Sequence, residues 1–184
     1  MTDTPLRPGL IELTVERPQL LFHTFDPSPV GDRELDDKLE RFIVHWAEDE
    51  PAPDYRMVVY VRADDPSPAE AEELAAGVRA HFGHLSDVEA RKRRLLLREG
   101  RSSLAVGLGF LLVCGAVGLF ALRTLPAPVG YFVDQGLLII GWVANWRPVE
   151  IFLYDWRPLL RNERLFRALA HMDITFAQVR PAAS

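Results

Sequence analysis

Two long apolar stretches dominate the pattern of the chain. Residues 104–125 are apolar with a single charge, and residues 129–146 are less purely apolar, with Asp134 and Gln135 in the first third. A helix rises about 1.5 Å per residue, so the first stretch reaches roughly 33 Å and matches a bilayer core of about 30 Å. The link at 126–128 contains two prolines, which break helices. The pattern therefore predicts two transmembrane helices, 104–125 and 129–146, paired as a hairpin.

Strands and helices alternate in the rest of the chain. Period-two alternation and β-forming residues predict strands at 10–15, 55–61 and 173–179. Helical spacing and capping residues predict three helices. The first covers 32–50 with Asp32 as N-cap. The second starts at Pro68 after the N-cap Ser67 and runs on toward the first span, and the third covers 162–172.

Two lone strands seldom make a stable sheet, so we expect the C-terminal strand to return to the N-terminal pair. The predicted fold class is α+β. It consists of a small cytosolic α/β domain, β-α-β-α plus a C-terminal α-β, with the two-helix transmembrane hairpin inserted into it.

Charge is distributed unevenly along the chain. Residues 1–89 hold twenty acidic and eight basic residues, net −12, whereas residues 90–101 hold six basic and one acidic, net +5. The acidic excess excludes a nucleic-acid binder with a basic face across the whole domain. Charge and hydropathy together divide the chain into an acidic cytosolic domain (1–89), a basic juxtamembrane stalk (90–103), the two spans (104–125 and 129–146) and a C-terminal region (147–184) that combines an interfacial segment, a helix and the returning strand.

The arginines indicate the orientation in the membrane. Basic residues precede the first span and follow the second, while the link carries only Arg123 nearby. Positive flanks stay in the cytoplasm, so both termini are predicted to be cytosolic. Nineteen arginines against two lysines are typical of a GC-rich bacterial genome, and no cleavable signal peptide is predicted. The expected location is the bacterial inner membrane, as a multi-pass protein.

Candidate lipid- or partner-contact residues lie where the spans meet the cytosol. They are the basic residues Arg91, Arg93 and Arg94, the aromatic residues Trp142, Trp146 and Trp156, and the charged residues Arg147, Glu150 and Asp155. An arginine near acyl chains needs an anionic partner. Two interpretations stay open for Arg147: a structural ion pair with Glu150 or Asp155 that holds a kink, or contact with a lipid headgroup or a partner protein.

Small residues mark one face of the first span. Ser103, Gly107, Cys114 and Gly118 share that face, and small residues let helices approach closely in lipid. One interpretation is packing within the hairpin against Gly136 and Gly141. The other is a dimer interface.

Catalytic chemistry is only weakly indicated. His81, His84 and Asp87 have the spacing of a metal-binding helix face, and His23, Asp26 and His45 could converge, but no nucleophile or phosphate-binding motif accompanies either set. The single cysteine, Cys114, excludes an intramolecular disulfide and a cysteine-based metal site. We expect no cofactor.

Two segments resemble a family of small bacterial membrane proteins. They are Leu21–Pro29 and Gly141–Trp156, the latter reading GWVANWRPVEIFLYDW. Members of the family carry a cytosolic N-terminal region, two transmembrane helices and a W-RP-EI-YDW run after the second helix. This chain has Trp156-Arg157 where the family has two consecutive tryptophans. The resemblance implies this architecture and no activity.

The sequence thus predicts a non-enzymatic membrane protein whose acidic cytosolic domain serves as an interaction, assembly or regulatory subunit. Its expected partners are the lipid bilayer and a protein, a second copy of the chain included, and not nucleic acid. The main alternative is a small membrane-anchored enzyme or metal-binding module that uses His81 and His84. A pore is a third option: two spans could form one only by oligomerisation, and few residues within them, Asp134 and Gln135 among them, are polar.

Overall fold

The computed structural model of the protein describes residues 9–22, 34–62 and 66–178. These residues fall into two compact units. The first holds the described residues up to Val88 together with those from Asn162 onward, and the second is Glu89–Arg161. The chain therefore leaves the first unit and later returns to it.

The fold is mixed α+β and mostly helical. Its elements, in chain order, are β1 (Leu10–Val15), α1 (Asp37–Asp49), β2 (Arg56–Val61), α2 (Pro68–Thr124), α3 (Ala127–Val143), α4 (Trp146–Glu150), α5 (Trp156–Ala170) and β3 (Asp173–Gln178). A short 3-10 turn covers Pro18–Leu21, and a π-helical segment, Ile151–Asp155, connects α4 to α5.

Three parallel strands form the sheet of the first unit, with β2 between β1 and β3. Parallel neighbours need a crossover connection, and α1 supplies the one from β1 to β2. The connection from β2 to β3 contains all of α2 to α5. The predicted strands are confirmed, and so is the return of the C-terminal strand to the N-terminal pair.

One face of the sheet is buried. Successive residues of a strand point to opposite faces, and the register aligns Ile11, Met57 and Ile174 across the three strands. All three are buried, and helical side chains complete the same core. The fully buried helical residues of this core include Ile43, Val78, Phe82 and Leu169. This apolar cluster is what stabilises the first unit.

The N-terminus of α1 differs from the sequence prediction. The N-cap is Asp36, whose carboxylate accepts hydrogen bonds from the backbone N–H groups of Lys38 (2.9 Å) and Leu39 (3.3 Å). Leu35 forms an antiparallel bridge with Phe22, so the chain is still extended immediately before the cap. The predicted cap, Asp32, lies outside the described residues.

The long helix α2 starts as the sequence predicts. The Ser67 hydroxyl accepts a hydrogen bond from the N–H of Glu70 (3.3 Å), and Pro68 occupies the first helical position. The helix then continues for 57 residues, through Gly83 and Gly100, to Thr124. The predicted stalk and first span are therefore parts of one uninterrupted helix.

The C-terminal helices also differ from expectation. The predicted separate interfacial segment is helical throughout, and α5 begins at Trp156 rather than at Asn162. A π-helical turn shifts the hydrogen-bond ladder by one residue. Pro158 lacks an N–H for the carbonyl one turn earlier, which is consistent with an irregular ladder at this point.

Candidate functional site

The second unit is built around a close seam between α2 and the helix that follows it. Contacts pair Gly107 with Asn145, Cys114 with Gly141, and Gly118 with Asp134. Residue numbers rise on one helix as they fall on the other, so α2 and α3 run antiparallel. Buried or half-buried positions along the α2 side of the seam are Gly107, Leu111, Cys114, Gly118 and Ala121.

Glycine permits the close approach in this seam. A Cβ atom at Gly130 would lie 2.9 Å from the backbone oxygen of Ala121, and one at Gly141 would lie 3.2 Å from the Cα atom of Leu111. Backbone atoms cannot move aside as a flexible side chain can. The small residues of this face therefore lie where α2 and α3 approach each other closely.

Two predicted packing residues lie differently. Nothing comes within 4 Å of a Cβ placed at Gly136, and Ser103 is half-buried. Gly130 and Asp134 occupy the seam where Gly136 was expected. The helical register explains the difference, because positions 130, 134 and 141 share one face of α3, and Gly136 lies two residues away from Asp134 on another face.

A polar side chain links the two sides of the seam at one end. The Asn145 amide donates hydrogen bonds to the carbonyl oxygens of Gly107 (3.1 Å) and Gly141 (2.9 Å). Where the surroundings are apolar, a bond such as the one to Gly107 holds the two sides in one register. At the other end of the seam, Asp134 is only 8% exposed and lies against Gly118, and its carboxylate accepts a hydrogen bond from the Gln135 amide of the same helix (3.1 Å).

A kink follows α3. The helix ends at Val143, and Pro148, which is buried, cannot donate to the carbonyl of Ala144. The Arg147 guanidinium lies 2.8 Å from the Asp155 carboxylate and 3.5 Å from that of Glu150. The Trp146 indole donates to the same Glu150 carboxylate (2.9 Å). These contacts connect α4 to the end of the π-helical segment.

Most of the apolar surface of this unit is uncovered. In the most apolar 18-residue stretch of the first helical segment, Pro68–Thr124, only 22% is buried. In the corresponding stretch of the second segment, Ala127–Ala170, 11% is buried. Both segments are long and apolar enough to cross a membrane. The core helices of a soluble protein of this size would be mostly buried, and these are not.

Aromatic side chains cluster around the kink. Trp142, Trp146 and Tyr154 are exposed, and Trp156 is half-buried with its indole donating to the carbonyl oxygen of Phe152 (2.8 Å). Tryptophan and tyrosine favour the boundary between lipid and water, because their rings are apolar and their N–H or O–H groups are polar. The cluster therefore has the composition of a membrane-interface belt.

A basic stripe lies on α2 before the apolar stretch. Arg91, Arg94, Arg98 and Arg101 are spaced three, four and three residues apart and share one helix face. All four are exposed, and within the described part of the chain none of them lies in an ion pair. Arg93 is half-buried, and Lys92 pairs with Glu89 at 2.6 Å. The stripe is therefore available to an anionic surface.

The described histidines of the first unit do not form a metal centre. His81 lies 2.8 Å from the Glu40 carboxylate, which joins α2 to α1, and its ring packs edge-on against Phe82. His84 and Asp87 are exposed. Among the residues that the structure describes, no group of three or more His, Cys, Asp or Glu side chains could hold a metal ion.

The other proposed histidine set is only partly visible. His45 is exposed and lies 3.5 Å from Asp49, one turn along α1. His23 and Asp26 lie outside the described residues, as do most of the residues at the N-terminal segment of the resemblance.

Among the residues that the structure describes, the second face of the sheet is open. Glu12 and Thr175 are exposed on it, and Tyr60 and Val58 are half-buried. The Tyr60 hydroxyl donates to the Glu12 carboxylate (2.8 Å). This bond, with some desolvation and the nearby negative charge, raises the pKa of Tyr60 above its ordinary value. Parallel sheets are usually covered on both faces, so the open face leaves room for a further contact.

The sequence pattern did not identify every seam residue. Gly130 and Asn145 were not among the predicted packing residues, although Gly130, Asp134, Gly141 and Asn145 repeat at intervals of four and seven. That repeat is the signal that could have found them, because it keeps residues on one helix face. The partner of His81 was not predictable, since Glu40 lies on a different helix.

Comparison of the chain with models of protein families, with curated proteins and with solved structures finds no match. The functional interpretation therefore depends on the arrangement of the described residues.

Proposed function

We propose that the protein is a membrane-anchored interaction subunit. In this proposal α2 and α3 cross the bilayer as a hairpin, and the acidic first unit meets a basic protein partner in the cytosol. The observation that carries the proposal is the exposed apolar surface on both sides of a tightly packed glycine seam. A soluble protein would have to leave that surface in water.

Charge supports the proposed orientation. Measured along α2 from Leu104, Arg101 lies about 5 Å and Arg98 about 9 Å from the start of the apolar stretch, within reach of the headgroup layer, whereas Arg91 lies about 20 Å away. Each cation near an anionic surface contributes about 1 kcal/mol, and the effect fades within a Debye length. The cytoplasmic side is therefore the favoured location of this end of α2.

The end of α1 supports a cytosolic partner. Glu48, Asp49 and Glu50 occupy its last turn and C-cap, and the last turn contains no basic residue. Acidic residues at a helix C-terminus oppose the helix dipole and lower stability. This cost fits a surface selected for binding, and a partner with a basic surface would complement it.

The membrane part of the proposal is tested with matched arginine substitutions on α2. Leu112 and Leu95 are both exposed leucines, one near the middle of the apolar stretch and one in the basic region before it. An arginine at the centre of a span costs about 2.5–3.5 kcal/mol of insertion free energy. We expect Leu112→Arg to lower the fraction that resists alkaline extraction from membranes, and Leu95→Arg to leave it unchanged. Equal behaviour of the two variants, or recovery of the wild type in the soluble fraction, would contradict the proposal.

The partner is tested by cross-linking in native membranes followed by purification of the full chain. We expect a cytosolic protein to be cross-linked to the chain, and less of it when salt is added before cross-linking. The cross-link should be lost in the variant that combines Glu48→Gln and Glu50→Gln. The control, Glu99→Gln, removes an exposed carboxylate from the second unit and should retain the partner. If the wild type and the double variant yield the same proteins, the acidic end of α1 is not the docking surface.

A further inference from the structure

One face of α3 carries a polar residue amid exposed apolar ones. Gln135 is exposed, and it lies beside the seam residue Asp134. Its neighbours on the same side of the helix, one and two turns away, are exposed as well, Phe132 by 79%. We call this surface the Gln135 face, and it consists of Tyr131, Phe132, Gln135, Ile139 and Trp142.

The position of Gln135 along α3 sets its depth. It lies eight residues after Ala127, the start of the helix, which corresponds to about 12 Å along the axis. If the hairpin crosses the bilayer as proposed above, on which this inference rests, the amide lies well inside a hydrocarbon core of about 30 Å. The glutamine side chain is too short to reach the headgroups from there.

The amide of Gln135 is only partly satisfied. Its nitrogen donates one hydrogen bond, to Asp134 (3.1 Å). Within the described residues, its second N–H and its oxygen have no partner. Water is absent from the hydrocarbon core, so a polar group left there without a hydrogen bond is costly. The Gln135 face therefore needs a partner that offers both a donor and an acceptor.

We propose that this partner is a second copy of the chain, packed face to face with the first through the Gln135 face. Two copies inserted in the same direction place Gln135 at the same depth. An amide is both donor and acceptor, so two Gln135 side chains related by a two-fold axis can donate to each other. The surrounding aromatic and aliphatic side chains supply the packing area.

The small-residue face of α2 is not available for such a contact. Gly107, Cys114 and Gly118 already lie against Asn145, Gly141 and Asp134 within the same chain. A dimer built on that face would have to separate α2 from α3. The Gln135 face is formed by the same helix as the seam but lies outside it.

Disulfide cross-linking in native membranes tests the interface. The only natural cysteine, Cys114, is buried and is first replaced by alanine. Ile139→Cys then places a thiol on the Gln135 face, one turn from Gln135, while Leu112→Cys places one on an exposed position of α2. On oxidation we expect Ile139→Cys to give a homodimer and Leu112→Cys to stay a monomer.

The role of the amide is tested by adding Gln135→Leu to the Ile139→Cys protein. Interhelical hydrogen bonds in membranes are modest, so we expect the dimerisation constant in detergent micelles to fall by about 3- to 20-fold. The conservative variant Gln135→Asn should lower the dimerisation constant less than Gln135→Leu does. An unchanged constant would overturn the proposal.

The alternative occupants give different results. A monomer with Ile139→Cys shows that the face meets lipid alone, and a cross-link to a protein of another mass shows a different partner; either result overturns the proposal. If either result is found while the protein stays in the membrane after alkaline extraction, the proposed hairpin is still supported and only the dimer is wrong. If the protein is soluble, both proposals fail.

Discussion

Gly130 and Gly136 lie on the same helix but have different surroundings. A Cβ at Gly130 would meet the backbone of Ala121 at 2.9 Å, whereas a Cβ at Gly136 would meet nothing within 4 Å. We expect Gly130→Ala to force the helices apart and to lower the free energy of unfolding by about 1–3 kcal/mol. Gly136→Ala should be neutral or stabilise by up to about 1 kcal/mol, because alanine favours a helix.

Unfolding of both variants in detergent micelles, followed by far-UV circular dichroism, measures the difference. Gly115→Ala on α2, where a Cβ also meets nothing within 4 Å, is a second control. Equal stability of the Gly130 and Gly136 variants would show that the seam is not close-packed.

Tyr60 reports on the open face of the sheet. Its raised pKa results first from the hydrogen bond to Glu12, then from desolvation and from the charge of the same carboxylate. Since the folded state holds this proton more tightly than the unfolded chain, the stabilisation is fully present below the unfolded pKa of about 10. It is lost as the pH rises through the folded pKa.

We expect Glu12→Gln to move the titration of Tyr60 to lower pH. The absorbance difference between each protein and its Tyr60→Phe counterpart isolates this phenolate from the other tyrosines. If Glu12→Gln leaves the midpoint in place, the hydrogen bond does not set the pKa.

At the scale of elements, the kink after α3 combines two prolines, a π-helical segment and the contacts of Arg147. The arginine bridges Asp155 and Glu150 but is 56% exposed. We therefore expect a double-mutant cycle between Arg147→Ala and Asp155→Asn to give a coupling of no more than about 1 kcal/mol. The measurement is unfolding in micelles of zwitterionic detergent.

This cycle separates the two interpretations of Arg147. If the pair is structural, the two single variants should lose similar amounts of unfolding free energy. The double variant should then lose less than the sum of the two. If Arg147→Ala weakens binding to anionic vesicles while Asp155→Asn does not, the arginine instead contacts phosphate groups.

The elements were predictable where the signal is local, and less so elsewhere. The capping pair Ser67 and Glu70 set the start of α2, and the prolines at 126 and 128 separate it from α3. The helical spacing predicts Asp32 as the N-cap of α1, whereas the cap is Asp36, which directly follows the bridge between Phe22 and Leu35. That bridge joins distant parts of the chain, so no local pattern contains it.

At the scale of the molecule, β3 closes the core of the first unit. Ile174 is buried beside Met57, whereas its neighbour Thr175 is exposed on the open face. We expect Ile174→Asn to bury an amide and to cost about 2–4 kcal/mol, and Thr175→Asn to cost less than about 1 kcal/mol. Hydrogen exchange of the β2 amides in the full chain checks this, because exchange should speed up only in the first variant. Equal exchange in the two variants would contradict the shared core.

Charge and hydropathy separate along the chain, and this separation predicts an acidic, a basic and an apolar part. The acidic strands and helices, the basic stretch and the apolar pair follow one another in sequence. The residues of the seam could not all be predicted from this pattern. Gly130 and Asn145 contact α2 only when the second helix packs against it in one particular register. Function is harder still to predict from the sequence. Spacing alone suggested His81 as a metal ligand, whereas it makes an ordinary polar contact with Glu40.

The orientation of the hairpin is tested most directly by thiol labelling of single cysteines in a Cys114→Ala background. Ala127→Cys lies at the exposed link between the helices, and Glu48→Cys lies on the exposed side of α1. A membrane-impermeant reagent added to intact spheroplasts should label only Ala127→Cys, and Glu48→Cys should react once the membrane is opened. Labelling of Glu48→Cys in intact spheroplasts, or protection of Ala127→Cys, would contradict a hairpin with its charged ends in the cytosol.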